Sequence, residues 1–181
     1  MTSITASRQD HSMPDKRIAP PASAGEHEML TAWLDWHRET LAFKCDGLSE
    51  EQLRLRPSTP STLSLLGLVR HMAGVERAWF RMRLNGEDID HLYYSLENPD
   101  GEFDDVETAS VGEAFSTWRA EVEAARAVSA AYPDLDTPAK REARGVTYSH
   151  RWILVHMIEE YARHNGHADL IREQIDGVTG E

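Results

Sequence analysis

The feature that most constrains this chain is a helical run, residues 152–167, that places metal-ligand residue types on its apolar side. At about 100° per residue, His156, Glu160, His164 and His167 fall within a narrow arc of one helix. Apolar residues lie in or beside the same arc, so the polar stripe is expected to face a core. Burying three imidazoles and a carboxylate is costly unless they are paired or coordinate a cation. The run therefore predicts a helix that binds a divalent metal ion.

Length and charge limit the class of protein. A chain of 181 residues is long enough for one domain with a good core. The 31 Asp and Glu residues exceed the 19 Lys and Arg residues and give a formal net charge of -12, which repels phosphate backbones and anionic membrane surfaces. We therefore expect no nucleic-acid or membrane partner. Cys45 is the only cysteine and no signal sequence or long apolar span is recognisable, so we expect a cytoplasmic protein.

Helical periodicity recurs along most of the chain. Long helices are predicted over residues 27–43, 61–85, 110–131 and 149–174, and a short capped turn over residues 49–52 connects the first two. No stretch reads convincingly as a strand. Residues 1–25 lack periodicity and are predicted to be a flexible lead-in, followed by a single domain over residues 26–181. The predicted fold is all-α, an antiparallel four-helix bundle.

The second long helix carries another inward-facing candidate. His71 shares its face with Leu68, Val75 and Met82. Alone, such a histidine is more often a core residue bonded to a neighbour; beside the last helix, it is the natural third donor from a facing element. The polar stretch that follows, residues 87–109, has no lasting period. Its composition favours a solvated loop, with the wall of a site as the alternative.

The spacing of these residues suits a metal site. Glu160 and His164 are four apart, so both side chains reach one side of an ion, and His71 would complete a three-ligand site. Three protein ligands leave a position for water or substrate, as catalytic sites do. His164 and His167, three apart, form a competing pair, and spacing alone does not choose between the two pairs.

Two segments, residues 66–80 and 156–173, resemble the signature segments of the DinB-like superfamily of metal-binding four-helix bundles. This superfamily includes thiol-dependent S-transferases and the mycothiol-dependent maleylpyruvate isomerase, and the resemblance spans roughly residues 27–177. In it, a histidine of the second helix and a His-x3-His or Glu-x3-His pair of the last helix bind zinc, nickel or a similar ion. The resemblance therefore implies that His71, Glu160 and His164 bind a divalent ion, with zinc expected first and nickel as the alternative.

The chain departs from the superfamily at the last ligand. Many members carry His-Arg-Gly-Gln there, whereas this chain has His164-Asn-Gly-His167. His167 then lies one turn beyond the ligand and could be a fourth ligand, a general base or a partner of a ligand; we take it as the catalytic candidate. His156, one turn before Glu160, is expected to be a core residue or a partner of a ligand rather than a ligand.

Three functions fit this ligand set. The first is a transferase in which the metal binds a small thiol, such as mycothiol or bacillithiol, and delivers it to an electrophile. The second is a metal-dependent hydrolase, and the third is a non-catalytic bundle that binds metal for stability. The resemblance favours the transferase, with the thiol and the electrophile as its small-molecule partners. A homodimer stays open as the assembly state.

Overall fold

The computed structural model describes residue 15 and residues 17–179, and the described part of the chain is helical with no strand. The helices are α1 (Glu26–Cys45), α2 (Glu50–Arg54), α3 (Leu65–Glu76), α4 (Gly101–Asp104), α5 (Val111–Ala131) and α6 (His150–Asp176). The predicted all-α class is confirmed. Of the predicted flexible lead-in, residues 1–14 and 16 lie outside the described residues. Arg17, within the same predicted segment, donates a hydrogen bond of 2.9 Å to Thr40 of α1.

Serine side chains begin most of the helices, where the sequence predicts caps. Ser64, Ser110 and Ser149 each accept a hydrogen bond from the backbone N–H three residues ahead, at 3.1–3.2 Å. At its other end, α6 stops at Gly177, whose φ of 78° is the left-handed conformation that glycine adopts readily. These caps fix the start and the end of the helix that carries the ligand candidates.

The second predicted helix changes its pitch halfway. It runs as α3 to Glu76 and continues as a π-helix over Arg77–Leu84, which closes with a hydrogen bond of 2.9 Å from Asn85 N–H to the Phe80 carbonyl oxygen. A π-helical stretch of this length is rare. Phe80 and Leu84 are fully buried in the π segment. The predicted end near Asn85 is right, but the predicted uninterrupted α-helix is wrong.

The long helices pack around one apolar core. α1 packs mainly against α6, and α3 packs against α5 and α6. The core side chains include Leu34 and Leu41 of α1, Leu68 and Met72 of α3, Val122 and Ala125 of α5, and Ile153, Met157 and Ile171 of α6. Each large aliphatic side chain in this core contributes about 1.5–3 kcal/mol by leaving water. None of the helices in the described residues is long and apolar enough to cross a membrane.

A buried polar network joins the four long helices. Arg38 of α1 donates two hydrogen bonds of 2.7 Å to the Glu76 carboxylate at the end of α3, and these side chains are 4% and 0% exposed. Tyr161 of α6 donates to Glu76 at 2.8 Å, and Trp118 of α5 donates to the Tyr161 hydroxyl at 2.9 Å. Because each helix supplies one member, the network specifies how the helices meet.

Removing the positive member of this network should be costly. We expect Arg38→Met to lower the free energy of unfolding by about 3–5 kcal/mol, because it leaves the Glu76 carboxylate buried without a counter-charge. Urea denaturation followed by circular dichroism measures this. The control is Glu123→Gln, which breaks a pair with Arg126 in which the Glu123 side chain is 69% exposed, and which should change stability by less than about 1 kcal/mol. Equal losses in the two variants would contradict a special weight for the buried pair.

Candidate metal centre

The structure brings His71 of α3 together with Glu160 and His164 of α6. One potential ligand atom from each of the three side chains lies within 4.8 Å of the other two, and all three residues are half-buried. The rings of His71 and His164 meet edge to face, with centroids 4.7 Å apart. Two imidazoles and a carboxylate form a donor set that zinc and similar divalent ions prefer. The three residues proposed from the sequence thus converge in space.

Glu160 is the charged member of this group. Its Oε2 lies 3.4 Å from Nε2 of His164, and its Oε1 lies 3.5 Å from Nε2 of His156. The hydrogen bond with His164 lowers the pKa of the Glu160 carboxyl; burial opposes this, and the nearby imidazoles of His156, His164 and His71 lower it further. Ligands about 2.0–2.2 Å from a tetrahedral ion lie roughly 3–3.5 Å apart. The separation between Glu160 and His164 already has that value.

His71 has a partner that the sequence did not reveal. Its Nδ1 lies 3.2 Å from Oε1 of Glu102, and its ring stacks on Phe103 with centroids 5.4 Å apart. Burial would raise the pKa of the Glu102 carboxyl, but the hydrogen bond with His71 outweighs it, so the pKa is lowered. The prediction of a solvated loop is therefore wrong for this part of residues 87–109. No periodicity in the loop marks Glu102, so no sequence signal could have linked it to His71.

The segment that carries Glu102 is anchored by its backbone. Arg70 of α3 donates hydrogen bonds of 3.0 Å to the carbonyl oxygens of Gly101 and Glu102, and its guanidinium lies over the Tyr93 ring at 3.9 Å. Gly101 is required here, because a Cβ at this position would lie 2.3 Å from the Tyr93 carbonyl oxygen. Glu102 and Phe103 are thereby placed against His71.

The other two histidines of α6 lie next to this group. Nδ1 of His167 is 3.4 Å from Nδ1 of His164, so His167 contacts the ring atom on the side away from Glu160. Burial lowers the pKa of the His167 imidazole, and His164 and Arg163 lower it further. His156 stacks on the Trp152 ring with centroids 4.8 Å apart, and with Glu159 and Glu160 it forms a second grouping of potential ligand atoms. Both groupings share Glu160.

The geometry predicts the metal content of variants. We expect roughly one divalent ion per chain in the purified protein, and we expect both His71→Ala and His164→Ala to lose it, because two remaining ligands hold an ion poorly. Elemental analysis after desalting measures this. The control is His91→Ala, which removes an exposed histidine that contacts Tyr94, and it should retain the ion. Full occupancy in His71→Ala or in His164→Ala would remove that residue from the site.

Comparison with known proteins gives one match. Residues 29–177 match the family model described as mycothiol-S-transferase. A search of curated proteins finds no match. The matched range includes α3 and all but the last turn or less of the chain beyond α6, so it contains all three converging side chains. Because the match covers most of the 181 residues, the chain belongs to the mycothiol-S-transferase family.

Proposed function

We propose that this protein is a metal-dependent transferase that uses a small thiol of the mycothiol type as the nucleophile towards an electrophilic substrate. The observation that carries the proposal is the convergence of His71, Glu160 and His164 in a family of mycothiol S-transferases. Three protein ligands leave a fourth position of a tetrahedral ion open to a thiol. We further propose zinc as the ion, with nickel as the alternative, and a cytoplasmic location, where small thiols are kept reduced.

The chain's own cysteine does not suit the role of nucleophile. Cys45 is the only cysteine, it is buried, and burial raises the pKa of its thiol to about 12. At neutral pH it is therefore protonated and out of contact with a substrate. A thiol transferase built on this chain needs a nucleophile that comes from outside, which supports a thiol co-substrate.

The ligand set supports activation of that thiol. His71 and His164 would bind as neutral imidazoles and Glu160 would add one negative charge, so the protein would leave about one positive charge of a divalent ion uncompensated. An ion with this residual charge, when bound, lowers the pKa of a thiol beside it. The sulfur then forms a bond to the electrophilic carbon, and the leaving group departs with its electron pair.

We propose His167 as the group that accepts the thiol proton. Its lowered pKa favours the neutral imidazole at pH 7, and a neutral imidazole has a lone pair available for a proton. Its contact of 3.4 Å with Nδ1 of His164 also allows it to orient that ligand. The two roles differ in what the variant loses, since a proton acceptor affects the reaction and an orienting partner affects the metal.

The conjugation rate should depend on the metal and little on pH. A free thiol has a pKa of about 8.5, so most of it is protonated below that value. With mycothiol and a bimane-type electrophile, we expect the catalysed rate to stay high well below pH 8.5, measured by fluorescence against other small thiols. The chelated protein and His164→Ala should lose this rate. If no thiol reacts faster with metal, and activated esters are hydrolysed without thiol, the hydrolase is the better assignment.

Two glutamine variants separate binding from proton transfer. We expect Glu160→Gln to weaken metal binding substantially, because it keeps the shape of the side chain but removes its charge. We expect His167→Gln to keep the metal and to lose rate towards the low end of the roughly 10²–10⁴-fold that positioned acid–base groups contribute. Metal titration and conjugation rates are measured on both. Metal lost from His167→Gln but kept in Glu160→Gln would make His164 and His167 the ligand pair.

A further inference from the structure

Glu102 is a carboxylate whose placement needs an explanation. Its side chain is 16% exposed, and its Oε2 is buried with no hydrogen-bond partner in the described residues. Its Oε1 makes a single side-chain contact, 3.2 Å from Nδ1 of His71. Burying a carboxylate for one imidazole contact is unfavourable for folding. A site in which that contact orients His71 for another ligand accounts for the arrangement.

We propose that Glu102 is a positioning residue that holds His71 in the tautomer and orientation needed to bind the metal. An imidazole whose Nδ1–H donates to Glu102 carries its lone pair on Nε2, and Nε2 is then the atom left for an ion. Ligating histidines commonly donate their other N–H to a carboxylate, which fixes the ring and raises its basicity. This inference rests on the metal site of the proposed function, and it assigns a role to a residue of the 87–109 segment.

The side chain of Glu102 does not hold its own segment in place. The anchors are backbone carbonyl oxygens of Gly101 and Glu102, which accept from Arg70 at 3.0 Å. Phe103 packs against the ring of His71 and against Gly67, where an added Cβ would lie 2.7 Å from Phe103 Cδ1. These contacts persist when only the carboxylate is changed. Variants at Glu102 therefore test the contact with His71 and leave the anchors intact.

The His71 contact can be tested without metal. We expect nitrogen-15 NMR of the full-length, metal-free protein to find the neutral His71 ring with its proton on Nδ1, and to find that preference lost in Glu102→Ala. Glu102→Gln keeps an acceptor oxygen and should retain much of it. The control is Asp104→Ala, which removes an exposed carboxylate from the same short helix and should leave the His71 signal unchanged. An unchanged tautomer in Glu102→Ala overturns the proposal.

Metal affinity gives the second readout. In competition titrations with zinc, we expect Glu102→Ala to bind about 10–100-fold more weakly than the wild-type chain, Glu102→Gln to lose less, and Asp104→Ala to match wild type. Circular dichroism checks that the variants fold. Wild-type affinity in Glu102→Ala overturns the positioning role even if the thiol reaction proceeds. If the wild-type chain binds no zinc or nickel, the proposed function fails, and the tautomer measurement still decides whether Glu102 orients His71.

Discussion

The buried ion pair between Arg38 and Glu76 is the interaction on which the arrangement of the helices depends. Both side chains are removed from water, so their attraction stabilises the fold only if the geometry is good and the remaining oxygens are hydrogen-bonded. Two bonds of 2.7 Å from Arg38 and one of 2.8 Å from Tyr161 meet that condition. Tyr161 directly follows Glu160 on α6, and Glu76 lies between one and two turns after His71 on α3. The Tyr161–Glu76 bond therefore sets the two helices so that His71 and Glu160 meet.

The polar groups of the candidate site differ from those of this network in how well they satisfy one another. Bonds within the network measure 2.7–2.9 Å, and each member has a strong partner. The contacts that Glu160 makes with His156 and His164 are 3.4–3.5 Å, at the outer limit of a hydrogen bond. Half-buried donors and acceptors that converge without bonding tightly are suited to an added cation, which supplies the missing interaction. The network fixes the framework, and the site beside it keeps an unsatisfied demand for positive charge.

Much of this structure could be predicted from local pattern. Serine caps, helical periodicity and the spacing of Glu160 and His164 act within one helix, and they gave the correct elements and a ligand group that the structure brings together. The interactions that were missed join distant segments. Arg38 and Glu76 are 38 residues apart and His71 and Glu102 are 31 apart, and nothing near either residue indicates its partner. The π-helix was missed because the apolar spacing of residues 77–84 fits an α-helix as well.

The departure from the His-Arg-Gly-Gln pattern divides into two effects with different physical consequences. Asn165, where many superfamily members have arginine, is 5% exposed, and its Nδ2 donates to the His37 carbonyl oxygen of α1 at 3.0 Å. It therefore belongs to the packing of α6 against α1, and a longer charged side chain there would have to leave the interface. His167, where the same members have glutamine, faces the other way and reaches Nδ1 of His164. Because a glutamine could also hydrogen-bond a ligating imidazole but could not take up a proton at neutral pH, the change to His167 adds a chemical capacity at the site, whereas the change to Asn165 alters only the helix contact.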